Sequence, residues 1–302
     1  INSSLDFRRL PMRRFLVPLF ALLFVSQVAA QEPGTTTQAP DFIRLVRDEA
    51  GTITSLDTAI VRYERGEGKE KVVVDGIGAI HIADKNYYRA LNRQFRKYDA
   101  LCYELVGAKG SRPLKGEGGF DLYGMIGGVL QLQGQLEGVD YSPANFVHAD
   151  MSMEDLQKKM AERGDNLFTI LLNSVLESFR RARKGDEPDT DGLFSSPTKL
   201  KRYMAEGMGG DLNGSGLGSQ MELYIVKDRN EVAMKVVDGQ VELGKRKIGL
   251  FYGAAHFPDF HKRLVERGFT VRETTWQTAW DLSSDRGWDI LGTLRKLMKR
   301  EK

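Results

Sequence analysis

Cysteine is almost absent. The 302-residue chain carries only Cys102, which excludes an intramolecular disulfide and any four-cysteine zinc site. Histidine is scarce as well: His81, His148, His256 and His261 are the only ones. A charge imbalance is also missing. The formal net charge is +3, and Arg8, Arg9, Arg13 and Arg14 against Asp6, all at the N-terminal end, account for the whole of it. The rest of the chain is neutral, so the basic pI gives no electrostatic footprint for nucleic acid, and none is expected as a partner. Also lacking is an apolar run of the roughly 20 residues that a spanning helix needs.

What is present begins with a leader. Met12 is followed by Arg13-Arg14, the apolar run Phe15–Val25, and the small-residue exit Val28-Ala29-Ala30. A basic start, a short apolar stretch and a small-residue end describe a secretory signal peptide over 1–30. The alternative for this segment is an N-terminal membrane anchor. Met12 reads as the true start, with residues 1–11 a mis-called beginning. No cysteine follows the leader, which excludes lipid attachment there. The expected destination is extracytoplasmic, periplasmic or secreted. Residues 31–41, polar and with Pro33 and Pro40, read as a flexible linker. A hydrophobic fraction of 41% and a charged fraction of 28% then suit one soluble domain over 42–302 with a sizeable core.

The periodicity predicts a mixed α/β (α+β) fold. Thr58–Glu64 and Val72–Val74, joined by Gly66-Glu67-Gly68, predict a hairpin. The second strand runs into Gly78-Ala79-Ile80-His81. A helix follows, with Asp84 placed to cap it and Tyr87, Tyr88, Leu91, Phe95 and Tyr98 on one face. Ala100–Val106 reads as a buried strand with Glu104 near its end. Residues 110–220 read as a largely helical insertion: a glycine-rich stretch over Gly118–Gly138, helices over Ser152–Arg163 and Asn166–Arg183, a polar loop over 184–194, and a helix opened by Ser196-Pro197. The C-terminal part repeats the opening. Lys247–Tyr252 is a strand, Gly253-Ala254-Ala255-His256 ends it, Pro258 opens a short helix that Gly268 closes, and Phe269–Trp276 is a strand. Two βα repeats, each with a Gly-x-x-His strand end, are thus expected to build one central sheet. Trp288–Lys302 reads as an amphipathic helix packed on the domain, with a membrane-surface role as the alternative.

The duplicated histidines carry the chemical argument. Ligands of open α/β sheets bind beyond the carboxyl ends of strands, and a glycine three residues earlier lets the chain turn there. His81 and His256 are therefore expected to converge. Imidazole serves both as metal ligand and as acid–base group, whereas a solitary strand-end histidine is usually structural. Glu104 is the third candidate. A buried carboxylate needs a partner, so it binds a metal with the two histidines or pairs with a nearby arginine. By composition alone, Arg229-Asn230 is a charged, solvated helix start. The string Gly214-Ser215-Gly216-Leu217-Gly218 lacks the strand–helix context of a dinucleotide loop, and that reading is rejected.

The segments GAIH and GAAH, flanking the acid in LCYELV and the Arg-Asn pair in KDRNEVAM, together with the stretch DYSPANFVHAD between those two, resemble the TraB/GumN/Tiki family over roughly residues 55–281. That family is similar in fold to erythromycin-esterase-like and ChaN-like proteins. The resemblance implies a mixed sheet covered by helices, and a metal-dependent hydrolase, a peptidase in some members, acting outside the cell on a peptide or polypeptide. It implies His81, His256 and Glu104 as catalytic residues and ligands of a divalent ion, manganese, cobalt or zinc. Arg229, Asn230, Tyr141 and Asn145 would shape the site. The chain departs from membrane-bound members in having no C-terminal transmembrane helix, which puts any carried-over membrane substrate in doubt. The alternatives are a non-catalytic haem- or peptide-binding protein of ChaN-like fold, and a metal-free His/Glu hydrolase of the esterase-like kind.

Overall fold

The computed structural model describes residues 40–113, 127, 130–163, 196–209 and 226–284. The leader, most of the linker, the helices expected over Asn166–Arg183 and Trp288–Lys302, the 184–194 loop and part of the glycine-rich stretches lie outside the described residues.

Seven strands form a mixed sheet. The expected hairpin is present: β1 (Ile43–Arg47), β2 (Ile53–Arg65) and β3 (Val72–Ala79) run antiparallel in succession. A two-residue strand β4 (Ile82–Ala83) precedes helix α1 (Lys85–Phe95), and β5 (Ala100–Tyr103) follows. The short β6 (Gln133–Gly134) pairs with β4 and leads into α2 (Gln135–Gly138). Then come β7 (Phe146–His148), α3 (Met153–Glu162), α4 (Pro197–Gly209) and α5 (Asp228–Glu242). The C-terminal unit is β8 (Lys247–Gly253), a 3₁₀ turn over Ala254–His256, α6 (Phe257–Glu266) and β9 (Thr270–Asp281).

Side chains alternate across the pleat, so the sheet has two apolar faces and a core on each. Ile77, Leu101, Tyr103 and Phe251 pack with Tyr87, Tyr88, Leu91 and Phe95 of α1 and with Leu200 and Met204 of α4. On the other face, Val61, Val74, Cys102, Leu250 and Tyr252 pack with Ala233, Met234 and Val237 of α5 and with Phe257, Phe260 and Leu264 of α6.

The repeat holds in its first half and diverges in its second. β3 and β8 are parallel neighbours, with Gly78 opposite Tyr252 and Ala79 opposite Gly253. After α1 the chain adds β5 to the other side of β8, again parallel. After α6 it crosses to the antiparallel part, where β9 lies along β2 from Ser55 to Glu64. Asp84 does stand at the start of α1, but its carboxylate accepts from the Asp281 amide at 2.6 Å and makes no cap bond. Ser196 caps α4 as expected, accepting from Lys199 N at 3.1 Å.

Within the stretch 110–220, read as a largely helical insertion, one short strand the sequence did not reveal, β7, joins the central sheet parallel to β5. Three residues give too short an alternation to betray a strand.

Candidate functional site

β8 lies between β3 and β5, so three parallel strands end side by side. Glu104 is the first residue beyond β5, and its amide still donates to Phe251 O at 3.1 Å. His81 stands just past β3, its carbonyl accepting from Gln135 N at 2.7 Å. His256 closes the 3₁₀ turn that follows β8. Arg229 and Asn230 arrive from the first turn of α5 on the same side.

Glu104 is the hub. Its Oε2 accepts from Gly253 N at 2.7 Å, and its Oε1 accepts from Arg229 Nη2 at 2.6 Å. Arg229 also forks onto Asp150, donating from Nε to Oδ1 at 3.0 Å and from Nη2 to Oδ2 at 2.7 Å. Two carboxylates around one guanidinium leave a surplus negative charge. Burial alone would raise the Glu104 carboxyl, but Arg229, then His256 and His81, outweigh it and hold it well below the usual range. Burial likewise works against the Arg229 charge, and Glu104 and Asp150 overcome it and raise its pKa. Glu104 is thus a fixed anion. Of the two partners expected for it, the arginine is present, and it is Arg229.

His256 is 4% exposed and its orientation is determined. Its Nδ1 lies 2.6 Å from Asn230 Oδ1. Asn230 Nδ2 donates to His256 O at 2.9 Å and to Asp259 Oδ2 at 2.8 Å. Both amide hydrogens are used there, so the amide oxygen faces the imidazole and Nδ1 carries the proton. In the neutral ring, Nε2 therefore turns a lone pair toward Glu104 Oε1, 3.5 Å away. Two electron-rich atoms facing each other call for a positive centre, either a proton on Nε2 or a cation.

The two Gly-x-x-His segments converge. A Cβ built on Gly253 would lie 3.4 Å from Glu104 Oε2, 3.8 Å from His256 Cδ2 and 3.8 Å from His81 Nε2. The two rings thus approach within less than twice the latter distance. Two imidazoles and a carboxylate are donor types that suit a small divalent ion. As the side chains stand, no three His, Cys, Asp or Glu among the described residues form a complete metal-ligand group.

Arg229 and Asn230, a solvated helix start by composition, are both buried, because each is spent on a strand-end partner. Tyr141 packs edge-on against Tyr103, the residue before Glu104, with ring centroids 5.3 Å apart, and its hydroxyl accepts from Gln135 Nε2 at 3.1 Å. Burial raises its pKa, and the Glu104 charge adds to this, so it stays a neutral phenol. Asn145 is not brought to the site. Its Nδ2 donates to the carbonyls of Phe95 and Tyr98 at 2.8 and 3.0 Å, closing the end of α1 at the opposite end of β5. His148 lies 2.6 Å through Nε2 from Leu105 O, and His261 pairs with the Tyr63 hydroxyl at 3.2 Å; both serve packing. Sequence reasoning missed Asp150 and Asp259. The only signal was that each follows a motif histidine or its strand by a few residues.

Comparison with protein-family models, with curated proteins and with solved structures gives no match.

Proposed function

We propose that this protein is an exported, metal-dependent hydrolase acting on peptides, as its resemblance to the TraB/GumN/Tiki family implies. The observation that carries the reading is the confrontation of His256 Nε2 with Glu104 Oε1 at 3.5 Å, with His81 Nε2 and both of these side chains around the same Gly253 α-carbon. His256, Glu104 and, after a turn of its side chain, His81 would hold the ion, manganese, cobalt or zinc. Such an ion would polarise the substrate carbonyl and acidify a water molecule.

The chain's own residues do the rest. Asn230 fixes the tautomer of His256, and Asp259 fixes Asn230, an outer shell of the kind that orients metal-binding imidazoles. Arg229 keeps Glu104 ionised and stationary, which makes that carboxylate a charge rather than a proton acceptor.

A second reading has its own support. Arg229 already compensates Glu104, and His256 Nε2 is free to take a proton without any ion. The residues then form a metal-free acid–base pair, with Glu104 stabilising the imidazolium.

The test is hydrolysis of a peptide library by the purified full chain, with and without chelator, alongside metal analysis. The expected result is one bound divalent ion, activity lost on chelation and restored by manganese, cobalt or zinc. His81→Ala and His256→Ala should each reduce activity by at least about 100-fold, the usual scale for a positioned acid–base group. Activity that survives chelation overturns the metal reading in favour of the metal-free one. A co-purifying chromophore without hydrolysis overturns both and points to a haem-binding protein. If neither variant alters ion binding, the shared site fails.

A further inference from the structure

The glycines of the two Gly-x-x-His segments meet different surroundings. A Cβ on Gly78 would touch Ala254 Cβ and Ala59 O, both at 3.4 Å. That position is roofed by the second unit, and its glycine serves close packing. At Gly253 the three nearest atoms to a Cβ are instead Glu104 Oε2, His256 Cδ2 and His81 Nε2.

Neither the backbone nor the packing asks for glycine at 253. Its φ of −51° and ψ of 136° suit any L residue. The contacts of 3.4–3.8 Å are ordinary van der Waals distances. An alanine there would fit without strain. It would also keep the amide N–H that holds Glu104 Oε2. What it would change is a volume, because its methyl would rest against the carboxylate and both imidazoles at once.

We infer that Gly253 is a specificity-determining residue whose bare α-carbon keeps open the seat of a single bound atom, a divalent cation, between His81, Glu104 and His256. This rests on the metal reading above. A cation must lie roughly 2.0–2.2 Å from its donors. A methyl against Glu104 Oε2, His256 Cδ2 and His81 Nε2 stands beside the donor atoms of all three side chains and crowds the space that such an ion and its remaining water need. The two motifs thus divide the labour: Gly78 lets the units meet, and Gly253 leaves room between them.

The experiment compares the full-length protein with Gly253→Ala and, as a control, Gly239→Ala, which lies on α5 with nothing within 4 Å of its Cβ position. Thermal unfolding without added metal is measured first, then calorimetric titration with manganese chloride or zinc chloride alone. Gly253→Ala is expected to unfold like the wild type and to bind the ion on the order of 10–100-fold more weakly, the scale of a disturbed metal environment. The control is expected to bind as the wild type does. Undiminished binding by Gly253→Ala overturns the inference and leaves the metal reading standing. An unfolded Gly253→Ala protein also overturns it, since the glycine would then serve the fold. A wild type that binds neither ion overturns the inference and the metal reading together.

Discussion

Arg229 sits between two acids, Glu104 and Asp150, with its side chain 8% exposed, and this makes its loss costly. Arg229→Leu would strand both carboxylates in a buried place. Breaking such a pair from one side costs about 3–5 kcal/mol, measurable as a drop in the urea midpoint at neutral pH. The pH dependence has a definite sign. In the wild type the Glu104 carboxyl is held below its ordinary value, so its contribution is present above the usual carboxylate range and is lost as the pH falls through the folded-state pKa. In the variant burial is unopposed by Arg229, the carboxyl rises, and acidification returns part of the lost stability. The deficit of Arg229→Leu should therefore shrink between pH 7 and about pH 4, across the ordinary carboxylate range. A deficit that stays constant or grows would sink this account. His81, Glu104 and His256 were legible because their motifs recur and their strands are apolar. Asp150 and Asp259 were not, because a carboxylate's partner is set by which strand ends the topology brings together, and the strand leading to Asp150 is itself hidden.

Elements with strong periodicity were readable, and elements defined by their neighbours were not. The aromatic face of α1 announced itself, whereas β7 exists because β5 offers it an edge. The start of α5 is the sharpest case. Its Asp228-Arg229-Asn230 reads as solvent-facing, yet Lys159 and Arg163 of α3 clamp Asp228, and the next two side chains turn to Glu104 and His256. The middle of α5 shows the opposite economy. Gly239 interrupts the helix with no neighbour within 4 Å of its Cβ position. Gly239→Ala should therefore raise the unfolding free energy by roughly 0.5–1 kcal/mol, the helix-propensity gap between the two residues. A neutral or negative change in chemical denaturation would show that the glycine has a role in the fold.

At the scale of the whole molecule, no helix among the described residues is long and apolar enough to cross a membrane. The proposed export makes a definite demand on the N-terminus. Protein recovered from outside the cytoplasm should begin at Gln31, and intact mass spectrometry would show residues 1–30 missing. Retention of the Phe15–Val25 run would instead identify an anchor. The mixed sheet with its two repeated strand ends was foreseeable, but the different fates of the two units' trailing strands were not. Nothing local in Phe269–Trp276 says that it will run antiparallel to β2.

The insertion of β8 between β3 and β5 has a temporal consequence. Its flanking strands are made early and β8 late, so a growing chain holds β3 and β5 with the edges that await β8 unsatisfied until most of the polypeptide has emerged. Contacts of such long sequence separation form slowly and leave exposed edges open to wrong pairing. The same delay keeps Glu104 away from Gly253 and His256 until the last strand of the parallel core docks. Any activity of this site therefore waits on the closing of the sheet.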